Sequence, residues 1–569
     1  MADQQVKLTI DGKEVEVPAG TSILEAAKTV GIAIPHFCYH PKLSIVASCR
    51  LCLVEIEKAP KLVTSCSTPV MPDVKVLTNT PKVIEAREDM LAMFLTSHPL
   101  DCPVCDKGGE CPLQNYTFAH GPGRSFFTDE KWHFEKPVDI GEHILIDRER
   151  CVMCTRCVRF QEEIAQHPEL GIFDRNKGSY IGPHPDRRFD SNYSGNTTEL
   201  CPVGALTTKE FRFKARPWEY TRKPSVCPSC GCGCNVSLDI RQGQVMRVVA
   251  RKNPDIDDGW LCDRGRFNHV DLYGAKRTTV PSTRTNGKMT QAGWDEALDF
   301  AVRNLKTIKE RFGSGAIAGI ISPSLTCEEM HLFTRLFREV IGSDLVAYGL
   351  DEILPASPPF RIKDIDSADL IVLDGCDPER DLPILDLRIK VAMRFFGAKV
   401  VQGNDQAAIA GAQRPLKIGK RNPAGNATGA AAIIKDNRGA ELATLLREGK
   451  IKALYLVGGE PGDALMDEIA PLLQGRDDLF VIAQGAVLPP NVAEQASVLL
   501  PAAAYPEKEG TLVNLEGRMQ RIAPVASLPG QSLPGTEIFR RVAKGFDVEL
   551  RPISVETMFD HSLLNNPPL

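Results

Sequence analysis

Apolar and polar positions recur along this chain at two periods, which divide it into a front half of short elements and a rear half of longer ones. Residues 6–10 and 14–17 alternate at period two around Asp11-Gly12-Lys13, which predicts a strand hairpin. Thr21 and Ser22 offer capping hydroxyls for a helix over 23–30. Val83, Ala86, Met90 and Phe94 recur at steps of three and four, so a helix is expected over 82–96 with these four as its buried stripe. Residues 144–147 read as a strand, and 235–250 alternate like two strands around Gln242-Gly243.

From about residue 290 the texture changes. Trp294, Leu298, Ala301, Leu305, Ile308 and Phe312 mark one face of a helix, and a second helix is expected over 328–341. The apolar runs 316–321, 370–373, 453–457 and 479–483 suit buried parallel strands. Helices alternating with such strands predict a doubly wound α/β domain. The Gly-, Ala- and Asn-rich stretch 406–432 reads as loops between two lobes of it, and the tail 551–569 as poorly ordered.

With 569 residues there is room for several domains and a large core. A hydrophobic share of 43% and a charged share of 25% are ordinary for a soluble globular chain. A net charge of −5 gives no reason to expect nucleic acid or anionic lipid as a partner. The first residues, MADQQVKLTI, lack the basic-then-apolar order of a secretory signal. No run of about 18 apolar residues appears, so membrane association is expected only through partner proteins.

The eighteen cysteines change the picture, because they cluster in tight C-x-x-C-type groups. In a long chain without an export signal this favours metal or cluster ligation in a reducing cytosol over disulfides. Near the centre of the pattern stands His98-Pro-Leu-Asp-Cys102-Pro-Val-Cys105-Asp-Lys-Gly-Gly-Glu-Cys111. Pro99 and Pro103 stop the incoming helix, and Gly108-Gly109 lets the chain bend back to bring in Cys111. Three thiolates and an imidazole suit zinc or an iron–sulfur cluster, and spacing alone admits both. The flanking cysteine groups favour iron and sulfur. Cys38, Cys49, Cys52 and Cys66 follow the hairpin and helix at the N-terminus. Cys151, Cys154 and Cys157 precede Cys201-Pro202, the C-x2-C-x2-C and C-P pattern of bacterial ferredoxins. No second triplet accompanies Cys201, so it is expected to close the same [4Fe–4S] cluster. Cys227, Cys230, Cys232 and Cys234 come next, then Cys262 after a long gap, while Cys327 and Cys376 read as buried thiols.

Glycine turns in the rear half do not signal a nucleotide. Gly313-Ser-Gly315 precedes a strand, and a tight strand-to-helix turn accounts for Gly458-Gly459. No FMN or NAD site is expected.

Several resemblances follow from these residues. Two strands, a helix and C-x10-C-x2-C with a distant fourth cysteine resemble a β-grasp [2Fe–2S] ferredoxin, with a wider first gap than the plant type. Cys227, Cys230, Cys234 and Cys262 resemble the [4Fe–4S] entry of the molybdopterin oxidoreductase family, which leaves Cys232 spare. The rear half resembles that family too, through Ala368-Asp369-Leu-Ile-Val-Leu and the stretch from Pro501 to Arg518. Active members supply a cysteine to the metal where this chain has 346–355 without one. Asp351 is the remaining candidate ligand there, and the half reads as a degenerate scaffold without molybdopterin.

Taken in order, the cysteine sets with Cys154-Thr-Arg-Cys157-Val-Arg-Phe160, Cys201-Pro-Val-Gly-Ala-Leu206 and Ala215-Arg-Pro-Trp218 resemble one family. It is that of the large iron–sulfur subunit, the G subunit, of NADH:quinone oxidoreductase, complex I. The resemblance implies a multidomain α+β and α/β fold: a [2Fe–2S] ferredoxin-like domain over 1–80, a [4Fe–4S] domain with one histidine over 81–120, and an all-cysteine ferredoxin-like domain over 121–220. A molybdopterin-family-type [4Fe–4S] domain over 221–280, the degenerate α/β domain over 281–550 and a tail over 551–569 complete it. It implies one [2Fe–2S] and three [4Fe–4S] clusters, and an electron relay from a flavin-bearing NADH-oxidising subunit toward quinone. Partners would be that subunit, a small [2Fe–2S] subunit and quinone-module subunits, on the cytoplasmic face of the bacterial inner membrane. The rival enzyme is the α chain of an NAD-linked molybdenum formate dehydrogenase, which would need the missing cysteine. The rival without redox chemistry is a zinc-loaded scaffold.

Overall fold

The computed structural model describes residues 4–350, 360–403, 406–419, 424–461, 463–552 and 557. Asp351 and most of the expected tail lie outside these residues. The chain divides into two compact units, Met1–Glu219 and Tyr220–Leu569.

The first unit opens with the predicted hairpin. Strands Gln5–Ile10 and Lys13–Pro18 pair antiparallel, with Ile10 opposite Lys13. Asp11 and Gly12 both have positive φ, 46° and 78°, the twist a two-residue turn needs to match its strands. Lys75–Leu77 joins Gln5–Ile10 in parallel, and Leu53–Ile56 and Val63–Thr64 complete a five-stranded sheet. Helix Ile23–Thr29 packs on it and is capped by Ser22, whose Oγ accepts from the Glu25 N–H at 3.2 Å.

Helix Pro81–Leu95 starts with Thr80 as cap and proline in its first turn. Its buried line is Val83, Arg87 and Leu91, with Ala86, Met90 and Phe94 half-buried beside it. An apolar search passes over Arg87, whose aliphatic stem goes inside while one guanidinium nitrogen reaches Asn79 Oδ1 at 3.5 Å.

A small sheet then brings distant segments together. Ile144–Ile146 pairs with Val138–Asp139 on one side and Leu206–Thr208 on the other. The ladder continues into the Asp147 N–H, which donates to Ala205 at 2.7 Å. The segment entering Cys151 is thereby clamped to the segment leaving Cys201.

The second unit begins with an antiparallel sheet of Thr221–Val226, Asn235–Arg241 and Gln244–Ala250. A seven-stranded sheet follows, in the order Lys288–Gln291, Ser282–Thr285, Val498–Pro501, Phe480–Gly485, Ala453–Gly458, Ile317–Ile321 and Val346–Ala347. The last five are mutually parallel. Their residues are buried almost without exception, which is why the sequence reads as continuous apolar runs. Leu370–Asp374 belongs to a separate parallel sheet with Lys399–Gln402 and Pro415–Gly419.

Helix Trp294–Phe312 buries Ala297, Leu298, Ala301, Val302 and Leu305, and leaves Phe312 exposed at its end. Helix Cys327–Arg335 opens with a Thr326–Glu329 capping box and passes into a wider π turn, Leu336–Ile341. The stretch expected as loops over 406–432 instead holds helix Gln406–Gly411, strand Pro415–Gly419 and helix Ala427–Ile433. Alanine favours helix when packing allows it, and small residues hide the period that would reveal the face.

Candidate functional site

The N-terminal cysteine set converges. Cys38 Sγ lies within hydrogen-bonding reach of Cys49 and Cys66, and Cys66 of Cys52. All four are buried, and the Phe37 N–H points at Cys49 Sγ over 3.4 Å. Such N–H···S contacts are one means of tuning a sulfur-ligated centre.

Cys151, Cys154, Cys157 and Cys201 line one cavity with Ile146, Val152, Ile181, Val203, Ala205 and Leu206. The strand ladder places Cys151 and Cys201, and helix Arg156–Glu163 carries Cys157 in its first turn. Met153 and Thr155 adopt φ of 49° and 58°, bending the loop so that successive thiols face inward. Burial pushes the Cys154 thiol up to about 11, and drives Cys157 well above its ordinary value. Four thiols around an apolar hollow suit a cluster, whose iron charge would favour the thiolates that burial opposes.

At His98, helix Pro81–Leu95 ends three residues upstream and a short 3-10 turn over Cys102–Val104 follows. Cys105 neighbours Cys102, and Cys111 neighbours Cys105. Cys105 and Cys111 are buried and Cys102 is exposed. Burial, with the Arg150 and Lys131 charges, lowers His98 to about 4, so the imidazole is neutral and free to ligate. Arg150 is the charge common to His98 and Cys105, and it holds Asp101 at 2.8 Å. Lys136 adds a second contact to Asp101 at 3.0 Å.

This loop interlocks with the all-cysteine set. Cys111 Sγ lies 3.8 Å from the Pro202 carbonyl oxygen. A methyl group on Gly204 would stand 2.1 Å from Cys105 Sγ, so glycine is required for that approach.

In the second unit Cys227, Cys230, Cys234 and Cys262 are buried neighbours. The Cys227 N–H donates to the Cys234 carbonyl at 2.9 Å, closing the loop. Asn514 and Gln520 side chains brace it from outside through the Cys232 and Gly233 carbonyls, at 3.3 and 2.9 Å. A methyl on Gly265 would press on Cys227 Sγ at 2.9 Å, another cradle that a larger residue would fill. Cys232 touches Cys230 but also faces the Leu385 backbone. Cys327 is fully buried beside Asn426, and Cys376 is half-buried, its Sγ 3.4 Å from the Ile418 carbonyl. Among the described residues, no three His, Cys, Asp or Glu groups form a set that could hold a single metal ion.

The ligand end of the large parallel sheet is filled differently. Gly459, φ 76°, makes the turn after Ala453–Gly458, where a side chain would meet the Val487 carbonyl at 2.5 Å. Beyond it Lys508 lies between Glu329 and Glu460 at 2.9 and 2.8 Å, all three buried. Arg277 pairs with Glu507 at 2.6 Å. The residues to which sequence reading gave no part in a site are the arginines and glycines between the cysteines. Arg150, Arg159 and Gly204 carry no metal-ligand signature, and their signal lies in distances alone.

Five family models match the chain. They are a 2Fe-2S iron-sulfur cluster binding domain at 3–81, an NADH-ubiquinone oxidoreductase-G iron-sulfur binding region at 87–125, and the ferredoxin-like domain of NADH-quinone oxidoreductase subunit 3 at 141–207. A molybdopterin oxidoreductase Fe4S4 domain matches 220–274, and molybdopterin oxidoreductase matches 277–406 and 417–545. The mitochondrial NADH-ubiquinone oxidoreductase 78 kDa subunit of Neurospora crassa is 33% identical over 99% of this chain and 84% of that protein. The NADH-quinone oxidoreductase G subunit of Rickettsia bellii is 34% identical over 95% of this chain and 86% of its own length. Its Mycobacterium bovis counterpart is 32% identical over 95% and 79%. With relatives of that name over nearly its whole length, the thiol-bearing chain belongs to the G subunit family of NADH-quinone oxidoreductase, an iron–sulfur component of complex I.

Proposed function

We propose that the chain holds four clusters and serves as an electron relay between a flavin-bearing, NADH-oxidising subunit and the quinone side of complex I. The [2Fe–2S] cluster is assigned to Cys38, Cys49, Cys52 and Cys66. One [4Fe–4S] cluster is assigned to His98, Cys102, Cys105 and Cys111, and one to Cys151, Cys154, Cys157 and Cys201. The last is assigned to Cys227, Cys230, Cys234 and Cys262, off the main path. Bound clusters would supply reversible one-electron chemistry. The chain's own residues place the centres, exclude water and set the charge around them.

The observation that carries this reading is the central position of the all-cysteine set. Its loops touch the Cys38 loop through Arg159 and the Cys105–Cys111 loop through Pro202 and Gly204. A relay needs such fixed neighbours, whereas a zinc scaffold needs no contact between sites. The complex I relatives do not favour the formate dehydrogenase alternative. No molybdopterin is expected, since the stretch 346–355 lacks the cysteine that active members supply to the metal. Partners on this reading are the flavin subunit, a small [2Fe–2S] subunit and quinone-module subunits. The place is the cytoplasmic face of a bacterial inner membrane. No helix among the described residues is long and apolar enough to cross a membrane.

Metal content of the anaerobically purified chain tests the assignment. About 14 iron per chain with negligible zinc and molybdenum is the expected result. Stoichiometric zinc would overturn it, and stoichiometric molybdenum or tungsten would restore the dehydrogenase.

A further inference from the structure

Helix Arg156–Glu163, which begins beside Cys157, turns three side chains toward the loop that follows Cys38. Arg156 Nη2 donates to the Tyr39 carbonyl at 2.6 Å. Glu163 accepts from the Ser44 N–H at 2.8 Å and from its hydroxyl. Between them lies Arg159, 5% exposed. Its Nε donates to Thr155 Oγ1 at 3.2 Å, and Nη1 to the Ser44 carbonyl. Its Nη2 donates to two carbonyls at once, Cys38 at 2.6 Å and Cys154 at 3.0 Å.

Those two carbonyls belong to residues of different thiol sets. One guanidinium nitrogen is thus the joint between the Cys38/49/52/66 set and the Cys151/154/157/201 set. The planar fork of arginine can serve both oxygens while holding a third carbonyl and a hydroxyl, which a lysine ammonium cannot do in that geometry. Its contacts with the Cys38 and Cys154 carbonyls place the guanidinium charge beside both sets. A guanidinium stays charged at physiological pH.

We propose that Arg159 couples these two centres: its fork fixes their separation and supplies a hydrogen-bonded bridge between them, and its buried charge favours the reduced state of both. The proposal rests on the ligand assignment above. Arg159 itself changes neither charge nor oxidation state, so it is a positioning residue.

The test uses the assembled complex in membranes with Arg159→Gln and Arg159→Lys. Redox titration followed by EPR reads the midpoint potential of each cluster. Freeze-quench EPR after NADH addition reads how fast the second centre is reduced. In Arg159→Gln both potentials move to more negative values together, because a buried cation has gone. Arg159→Lys keeps both potentials near the parent values, yet slows reduction of the second centre about 10-fold, the size usual for a lost ligand-supporting contact. A glutamine variant that keeps both EPR signals at parental potentials would overturn the proposal, as would a shift of only one. Where the glutamine variant loses its clusters, the lysine variant decides, and an unchanged reduction rate there refutes the bridge. Failure of the ligand assignment looks different: Cys154→Ala would then leave both EPR signals intact.

Discussion

Two regions of the molecule treat buried polar groups differently, the hollow of the Cys151 set in the first unit and the end of the large sheet in the second. At the first, four thiols stand around a hollow walled by isoleucine, valine and leucine, and burial drives Cys157 well above its ordinary value. In the second, the end of the large sheet is closed by Lys508 with Glu329 and Glu460, and by Arg277 with Glu507. Buried thiols that converge on a hollow leave a place for iron and sulfur. The ion pairs instead set charge against charge, while Arg277 Nε and Nη1 and Glu507 Oε1 stay buried without a hydrogen-bond partner. On the assignment proposed above, redox chemistry sits where short elements deliver thiols to a common point, as in the Cys151 set and in the Cys227 set of the second unit.

Substitutions can break that contrast. Cys154→Ala should have the largest effect on electron flow, lowering NADH:quinone transfer about 100-fold. NADH oxidation by artificial acceptors at the flavin should persist. If both activities survive with the cluster absent, the relay lies elsewhere.

Lys508→Met should act on the other unit and through stability. It leaves Glu329 and Glu460 as buried carboxylates without their cation, at a cost of about 3–5 kcal/mol. Thermal unfolding should shift accordingly, while the EPR signals of the first unit stay. Loss of those signals would show that the two units are energetically one.

Cys230→Ala sharpens the comparison from within the second unit. The iron count should drop by about four, with assembly or stability reduced more than NADH:quinone transfer. A fall in transfer matching that of Cys154→Ala would put this centre on the path. The smallest effect is expected from Ser22→Ala, which removes a helix cap next to the first cysteine set. Destabilisation of about 1 kcal/mol with unchanged metal content is the expected outcome, read by denaturant melts.

Much of this was legible in the chain itself. C-x-x-C groups are local, so Cys102 with Cys105, or Cys151 with Cys154 and Cys157, identify themselves by spacing. Fully buried parallel strands also identify themselves, because Ile317–Ile321 and Ala453–Gly458 need apolar residues on both faces. Elements made of small residues did not, and the helix Ala427–Ile433 read as loop because alanine and glycine carry no face. Arg87 was invisible on its helix for a related reason: a stripe search counts it as polar although its stem is buried.

The sequence by itself determined the spacing of the thiols, the hairpin, the parallel α/β core and the family. It did so because metal-ligand spacing and burial periodicity are short-range codes. Only the tertiary structure decided which sets are neighbours, and that Arg159, Arg150 and Gly204 stand between them. Those contacts join residues up to 121 positions apart. A small sheet likewise pairs Ile146 with Leu206, a ladder whose local sequence names neither partner. Long-range pairing depends on the sum of packing over the whole unit, and no window of the chain contains that sum.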